Sequence, residues 1–139
     1  MSETSYDSYE TKPSRSERRR ETVLLVDDDG RLLQGLLRSF ADEQYEVLTA
    51  ISAAEANVVL SRRHVDLVLS DNLMPGVLGA EFLAEVRKQH PEIKLMMLSG
   101  YMPPAAAQRA VKDLGILKVL TKPSQAREVA AAIREVLAK

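Results

Sequence analysis

At 139 residues the chain is long enough for one domain with a full core and too short for two of ordinary size. Its 19 basic and 20 acidic residues leave a formal charge of −1, which gives neither a nucleic acid nor a membrane surface the positive field it would need. The absence of cysteine excludes disulfides, thiolate metal sites and thiol catalysis together, and with no apolar run near the roughly 18 residues that cross a bilayer and no secretory signal, the expected location is the cytoplasm.

Residues 1–21 are rich in Ser, Thr, Glu and Arg, with Tyr6 and Tyr9 their only aromatics. Such a segment cannot bury enough apolar surface to offset its ordering entropy, so a flexible N-terminal tail is expected, with Arg15, Arg18, Arg19 and Arg20 solvated. A single domain is expected over 22–139. It opens on the strand-sized apolar run Thr22–Val26, which ends at Asp27-Asp28-Asp29, and the spacing of Leu32, Leu33, Leu36, Leu37 and Phe40 then predicts a helix capped by Asp28 or Asp29. A second strand, Glu46–Ala50, leads through the capping pair Ser52 and Glu55 into another helix. Val65–Ser70 is a third strand, followed by Asp71 and the turn Asn72-Leu73-Met74-Pro75-Gly76. Leu78, Phe82, Leu83 and Val86 mark a helix that His90-Pro91 stops. The fourth strand, Ile93–Leu98, runs into Ser99-Gly100. Pro103-Pro104 suits the first turn of a helix ending near Gly115. The fifth strand, Ile116–Leu120, precedes Lys122, and Ala126, Val129, Ala130, Ile133, Val136 and Leu137 line the last helix, for which Ser124 is the expected N-cap. Five strand–helix repeats with little polar alternation in the strands predict an α/β, doubly wound parallel sheet covered on both faces.

Four of these strands end on groups suited to phosphate. In a parallel sheet such ends face a common crevice. Three adjacent carboxylates repel one another and call for a cation nearby. Mg²⁺ takes one or two carboxylates with a carbonyl and waters and bridges to phosphate oxygens, which makes Asp27 and Asp28, with Asp71 from another strand, its candidate ligands. Asp71, in a turn expected to expose it, can attack a phosphoryl donor. Lys122 can then neutralise the phosphoryl oxygens and the Ser99 hydroxyl can donate to one of them. Taken singly, each residue has a plainer use as a turn former, loop hydroxyl or surface charge. Their shared position at strand ends favours the chemistry.

The segments Val26-Asp27-Asp28-Asp29, Ser70-Asp71-Asn72-Leu73-Met74-Pro75-Gly76, Leu98-Ser99-Gly100 and Leu120-Thr121-Lys122-Pro123 resemble the receiver, or phosphoacceptor, domain of two-component response regulators, over about Thr22 to Lys139. The resemblance implies a flavodoxin-like strand order, 2-1-3-4-5. It also implies phosphoryl transfer from a histidine kinase or histidine phosphotransfer protein onto Asp71. By the same resemblance Mg²⁺ is held by Asp27, Asp28, Asp71 and the backbone carbonyl of Leu73, Ser99 and Lys122 bind the phosphoryl group, and the Lys122–Pro123 bond is cis. The face of the fourth helix, fifth strand and fifth helix is the expected contact for a downstream protein or a second copy, with no direct contact to nucleic acid or membrane. The chain is then a phosphoacceptor signalling domain rather than an enzyme, hydrolysing its own phosphate slowly.

Two positions depart from the family pattern. Leu78 stands where an acidic residue is common, and Val119 where a switching Tyr or Phe is common. A β-branched valine has little χ1 freedom, so Tyr101, two residues beyond Ser99, is the expected switch aromatic. A haloacid-dehalogenase-like phosphatase, with Asp27 as nucleophile, is the alternative that Asp27-x-Asp29-Gly30 suggests. That chemistry needs an acidic pair after the lysine, and beyond Lys122 only Glu128 and Glu135 remain, spaced along a helix. A binding module that keeps the fold without phosphorylation would have lost Asp71, the acidic pair or Lys122, and all are present.

Overall fold

The computed structural model describes residues 20–74 and 76–139, so residues 1–19 of the expected tail lie outside the described residues. In chain order the elements are β1 (Thr22–Val26), α1 (Gly30–Ser39), β2 (Glu46–Ala50), α2 (Ala53–Arg62), β3 (Leu67–Asp71), β4 (Leu73–Met74), β5 (Val77–Leu78), α3 (Gly79–Gln89), β6 (Lys94–Ser99), α4 (Pro104–Leu114), β7 (Ile116–Thr121) and α5 (Ala126–Leu137). The five longer strands pair in parallel in the order β2-β1-β3-β6-β7, and β4 pairs with β5 in a separate antiparallel hairpin. Counting the sheet strands alone, this is the flavodoxin-like order 2-1-3-4-5.

Successive strand residues point to opposite faces, and here both faces are apolar. Val23, Leu25, Leu67, Leu69, Met96 and Leu98 pack with Leu33, Leu36, Val129, Ile133 and Val136 of α1 and α5. Leu24, Val26, Val68, Leu95, Met97 and Ile116 pack with Leu60, Phe82, Leu83 and Val86 on the other side. Burial of each such Leu, Ile or Val contributes about 1.5–3 kcal/mol. These cores hold β1 and β3 side by side at the centre of the sheet, in register from Val23 opposite Leu67 to Val26 opposite Ser70.

The helix boundaries follow their local chemistry. Asp29 caps α1, its side chain accepting from the N–H groups of Arg31 and Leu32 at 3.1 Å each. Ser52 caps α2 through the Glu55 N–H, while Glu55 reaches back to the Ile51 N–H at 2.8 Å. His90 closes α3, and Pro104 starts α4, which ends on Gly115 in the left-handed region at φ 70°. Only Ala110 of α4 is buried, against six residues of α5.

Several expectations need correction. β3 and β6 each run one residue further than the apolar runs, so Asp71 and Ser99 are the last ladder residues of their strands. Asp71 is therefore 7% exposed and Ser99 3%, not displayed on open turns. Ser124 does not cap α5. Its hydroxyl donates to the Thr121 carbonyl at 2.6 Å, and Gln125 is the N-cap, its N–H bonded to Glu128 at 2.8 Å. Leu78 belongs to the apolar side of no helix: it ends β5, caps α3 and is 47% exposed. In β7 the register slips between the partners of Leu95 and Met96, making Leu117 an extra, exposed residue on this edge strand. Such a bulge twists an edge away from further pairing.

Leucine offers no acceptor at an N-cap, although Glu81 already accepts from the Leu78 N–H at 3.1 Å as half of a capping box. Leu78 holds extended dihedrals, φ −79° and ψ 143°, that a capping serine adopts. Leu78→Ser should therefore raise stability by about 0.5–1 kcal/mol. A urea midpoint equal to or below that of the parent would contradict this account.

Candidate functional site

The adjacency of β1 and β3 brings the acidic groups together. Asp27 continues β1, its N–H donating to the Ala50 carbonyl at 3.1 Å, and Asp71 ends β3 next door. One carboxylate oxygen from each of Asp27, Asp28 and Asp71 lies within 4.8 Å of the others. Asp27 is 4% exposed, whereas Asp28 is on the surface. Asp27 accepts from the Asp29 N–H at 2.9 Å, which turns its carboxylate into the cluster while Asp29 caps the helix.

Lys122 arrives from beyond β7, on the far side of β6. Its own N–H donates to the Ser99 carbonyl, and its Nζ stands 3.1 Å from Asp71 Oδ1 and 3.3 Å from Asp27 Oδ2. The Lys122–Pro123 bond is cis. Burial, with a smaller push from the charge of Asp71, raises the Asp27 carboxyl above its usual range despite the Asp29 N–H and Lys122. Burial pulls the Lys122 ammonium down, but the hydrogen bond to Asp71 and the charges of Asp27 and Asp71 more than reverse it, so the lysine is held charged.

These residues fit a hard divalent cation. The cluster is all oxygen, two of its carboxylates are withdrawn from water, and one ammonium contacts two of three negative groups. A small oxygen-preferring ion of double charge suits such a donor set.

The structure brings Asp27, Asp28, Asp71 and Lys122 together, with the end of β6, Ser99, beside them. The other sequence candidates are not part of this acidic cluster. The Ser99 hydroxyl donates to the Tyr101 carbonyl at 3.3 Å, and the Tyr101 side chain is 76% exposed. Leu73 lies in β4, 66% exposed, opposite Leu78. Val119 is half-buried against the α2, α3 and α4 face of the sheet. Two residues went unremarked in the sequence. Ser70 is fully buried, its hydroxyl on the Asp71 carbonyl at 2.9 Å, and Gly79 packs its Cα against that same peptide group. The signals were a lone hydroxyl closing the run Val65–Ser70 and a glycine at a helix start.

A doubly wound sheet with this cluster at its carboxyl edge defines a class. The family profile described as the response regulator receiver domain matches residues 23–134, and the chain belongs to that family. Among curated proteins it is similar to the hydrogenase transcriptional regulatory protein HoxA of Cupriavidus necator, 44% identical over 73% of this chain and 21% of that protein. It is also similar to the sensor kinase CckA of Brucella abortus, 36% identical over 85% of this chain and 13% of that protein. The transcriptional regulatory protein GlrR of Escherichia coli is 38% identical over 83% of this chain and 26% of its own length. The chain thus spans about a quarter or less of these three relatives. Among solved structures, the signal receiver domain of an HD domain-containing protein from Pseudomonas fluorescens Pf-5 superimposes with a TM-score of 0.79 at 31% identity, covering 86% of this chain and 96% of that one. A CheY-like response regulator receiver domain protein from Methanospirillum hungatei gives 0.78 at 28% identity, covering 86% and 94%. The chain is a receiver domain of two-component response regulators. No helix among the described residues is long and apolar enough to cross a membrane.

Three carboxylates against one ammonium leave residual repulsion that the metal-free fold must bear. Asp28→Asn should raise the melting point of the metal-free protein by about 3 °C, roughly 1 kcal/mol, while weakening Mg²⁺ binding. Calorimetric melts with and without Mg²⁺ check both signs, and a lower metal-free midpoint would show that repulsion does not set the cost.

Proposed function

We propose that Asp71 accepts a phosphoryl group from a histidine kinase or a histidine phosphotransfer protein, within a receiver domain spanning residues 22–139. The observation that carries this reading is the 3.1 Å contact between Asp71 Oδ1 and Lys122 Nζ beside the oxygens of Asp27 and Asp28. In the transfer a carboxylate oxygen of Asp71 forms a bond to phosphorus as the bond from phosphorus to the donor imidazole nitrogen breaks, the electron pair staying on that nitrogen. Lys122 meets the incoming negative charge by exchanging a carboxylate oxygen for a phosphoryl oxygen. Asp27, Asp28, Asp71 and the Leu73 carbonyl would hold Mg²⁺, which when bound neutralises the phosphoryl oxygens. The acyl phosphate then decays by slow hydrolysis, so the chain acts as a signalling domain in the cytoplasm and not as a turnover enzyme.

Ser99 links this event to the surface. Its hydroxyl has one proton, now donated to the Tyr101 carbonyl. Donation to a phosphoryl oxygen releases that carbonyl, and the loop from 99 to 104 gains a different set of contacts in each state. With valine at 119, the mobile aromatic is Tyr101, and Tyr101 and Leu73 together hinder water at the acyl phosphate. The changed loop feeds α4, and the face of α4, β7 and α5 meets a downstream protein or a second copy of the chain. The named roles of HoxA and GlrR in transcription favour an output of that kind, without direct contact between this domain and nucleic acid.

Incubation with Mg²⁺ and acetyl phosphate should add one acid-labile phosphoryl group, visible by intact-mass spectrometry, and Asp71→Asn should abolish it. Equal labelling of the Asp71→Asn variant would refute the assignment. Tyr101→Ala should leave labelling by small donors near the parent rate, shorten the phosphate lifetime severalfold and remove the phosphorylation-dependent amide shifts of residues 99 to 104. Parent decay kinetics with those shifts retained would rule out the role of Tyr101.

A further inference from the structure

We propose that Ser70 and Gly79 are positioning residues that grip the main-chain carbonyl of Asp71 and thereby set the direction of its carboxylate. This inference rests on Asp71 being the phosphoacceptor.

Ser70 is completely buried in β3, between Leu69 and Asp71. A hydroxyl in that place costs free energy unless bonded, and alanine would fill a similar volume without that demand. Its bond goes to the carbonyl of the very next residue, Asp71, at 2.9 Å. Gly79, eight residues on, reaches the same peptide group from the first turn of α3. A Cβ built there would lie 2.1 Å from the Asp71 carbonyl oxygen, 2.8 Å from the Asn72 Cα and 2.9 Å from the Asp71 carbonyl carbon. All three are backbone atoms, so no side chain can swing aside to make room. The requirement is one of space and not of conformation, because Gly79 is not among the glycines with positive φ, which are Gly76 and Gly115. The Gly79 N–H also donates to the Asn72 carbonyl at 2.7 Å, holding the two segments together.

The peptide group after Asp71 is thus fixed by a buried hydroxyl and by the start of a helix. It shares the Asp71 Cα with the side chain, so a rotation of this group about Cα–C turns the carboxylate relative to Lys122. Displacement of a reacting group by about 1 Å can cost roughly 10²-fold in rate. Neither Ser70 nor Gly79 touches the transferred phosphoryl group in this scheme. They act through Asp71.

The test compares wild type, Ser70→Ala, Ser70→Thr and Gly79→Ala. Each is assayed for its initial rate of labelling by acetyl phosphate at saturating Mg²⁺, its Mg²⁺ affinity by calorimetry, its melting point, and the labelled residue by peptide mapping. Ser70→Ala should lose about tenfold in rate and bind Mg²⁺ more weakly, and Ser70→Thr, which keeps the donor, should return both to within about twofold of wild type. Gly79→Ala, where it folds, should lose roughly 10²-fold. Where it does not fold, the Ser70 pair decides alone. Parent-like labelling of Ser70→Ala on Asp71, or a Ser70→Thr variant as slow as Ser70→Ala, would overturn the proposal. Wild-type phosphate mapping to another residue would overturn the phosphoacceptor assignment beneath it, a result the peptide map keeps distinct.

Discussion

At the carboxyl edge of the sheet, one ammonium group answers for two buried carboxylates with a third close by. Lys122 stands 3.1 Å from Asp71 and 3.3 Å from Asp27, and no other cation makes an ion pair with them among the described residues. Like charges at such range repel, and burial weakens the screening that water would give them. The geometry persists because the carboxylates cannot retreat independently: β1 and β3 are neighbours in the middle of the sheet, covered on both faces, and their backbones are committed to the ladder. Charge imbalance is therefore held where the backbone cannot easily relax it, and a cation would find its oxygen partners already assembled.

The opposite edge of the sheet shows how that rigidity is secured. There the Thr22 N–H donates to the buried Asp66 carboxylate at 2.8 Å and Asp66 N–H returns to the Thr22 carbonyl at 2.8 Å. Lys94, which begins β6, donates to the carbonyls of Leu137 and Lys139 at the end of α5. The strands are pinned where they start, and the apolar cores prevent them from sliding, so a register error of one residue would turn every core side chain to the wrong face. Asp27 and Asp71 meet because of contacts made up to a strand length away.

The sequence disclosed most of this because the physics involved is local or periodic. Apolar runs of strand length named the five sheet strands, helical spacing named three of the helices and capping or proline signals the other two, and Asp27, Asp28, Asp71, Ser99 and Lys122 stood out as polar residues at the ends of those runs. The places where it misled were those settled by three-dimensional neighbours. Ladder pairing with Leu98 and Thr121 carried Asp71 and Ser99 into their strands and buried them. Ser124 has the chemistry of a cap, but the Thr121 carbonyl claims its proton. Leu78 fits a helical spacing with Phe82, yet the hairpin of β4 and β5 takes it before the helix begins. Ser70 and Gly79 left only faint signals, a hydroxyl ending an apolar run and a glycine at a helix start, since their importance lies in one peptide group that the chain folds back to touch.

The thin attachment of α4 has a mechanical consequence. Its one fully buried side chain is Ala110, joined by the partly buried Leu114, whereas α5 seats six buried residues. Apolar burial resists displacement in proportion to the area it would uncover, so the stiffness of this molecule is uneven around the sheet. The helix that follows Ser99 buries the fewest side chains of the five, and it is joined at one end to the loop beside the acidic cluster and at the other to Gly115, where the carbonyl of Asp113 accepts a long 3.4 Å bond from Arg87. A displacement of a few tenths of an ångström at the Ser99 hydroxyl would meet an element with few buried side chains to resist it. The rest of the domain would act as its frame.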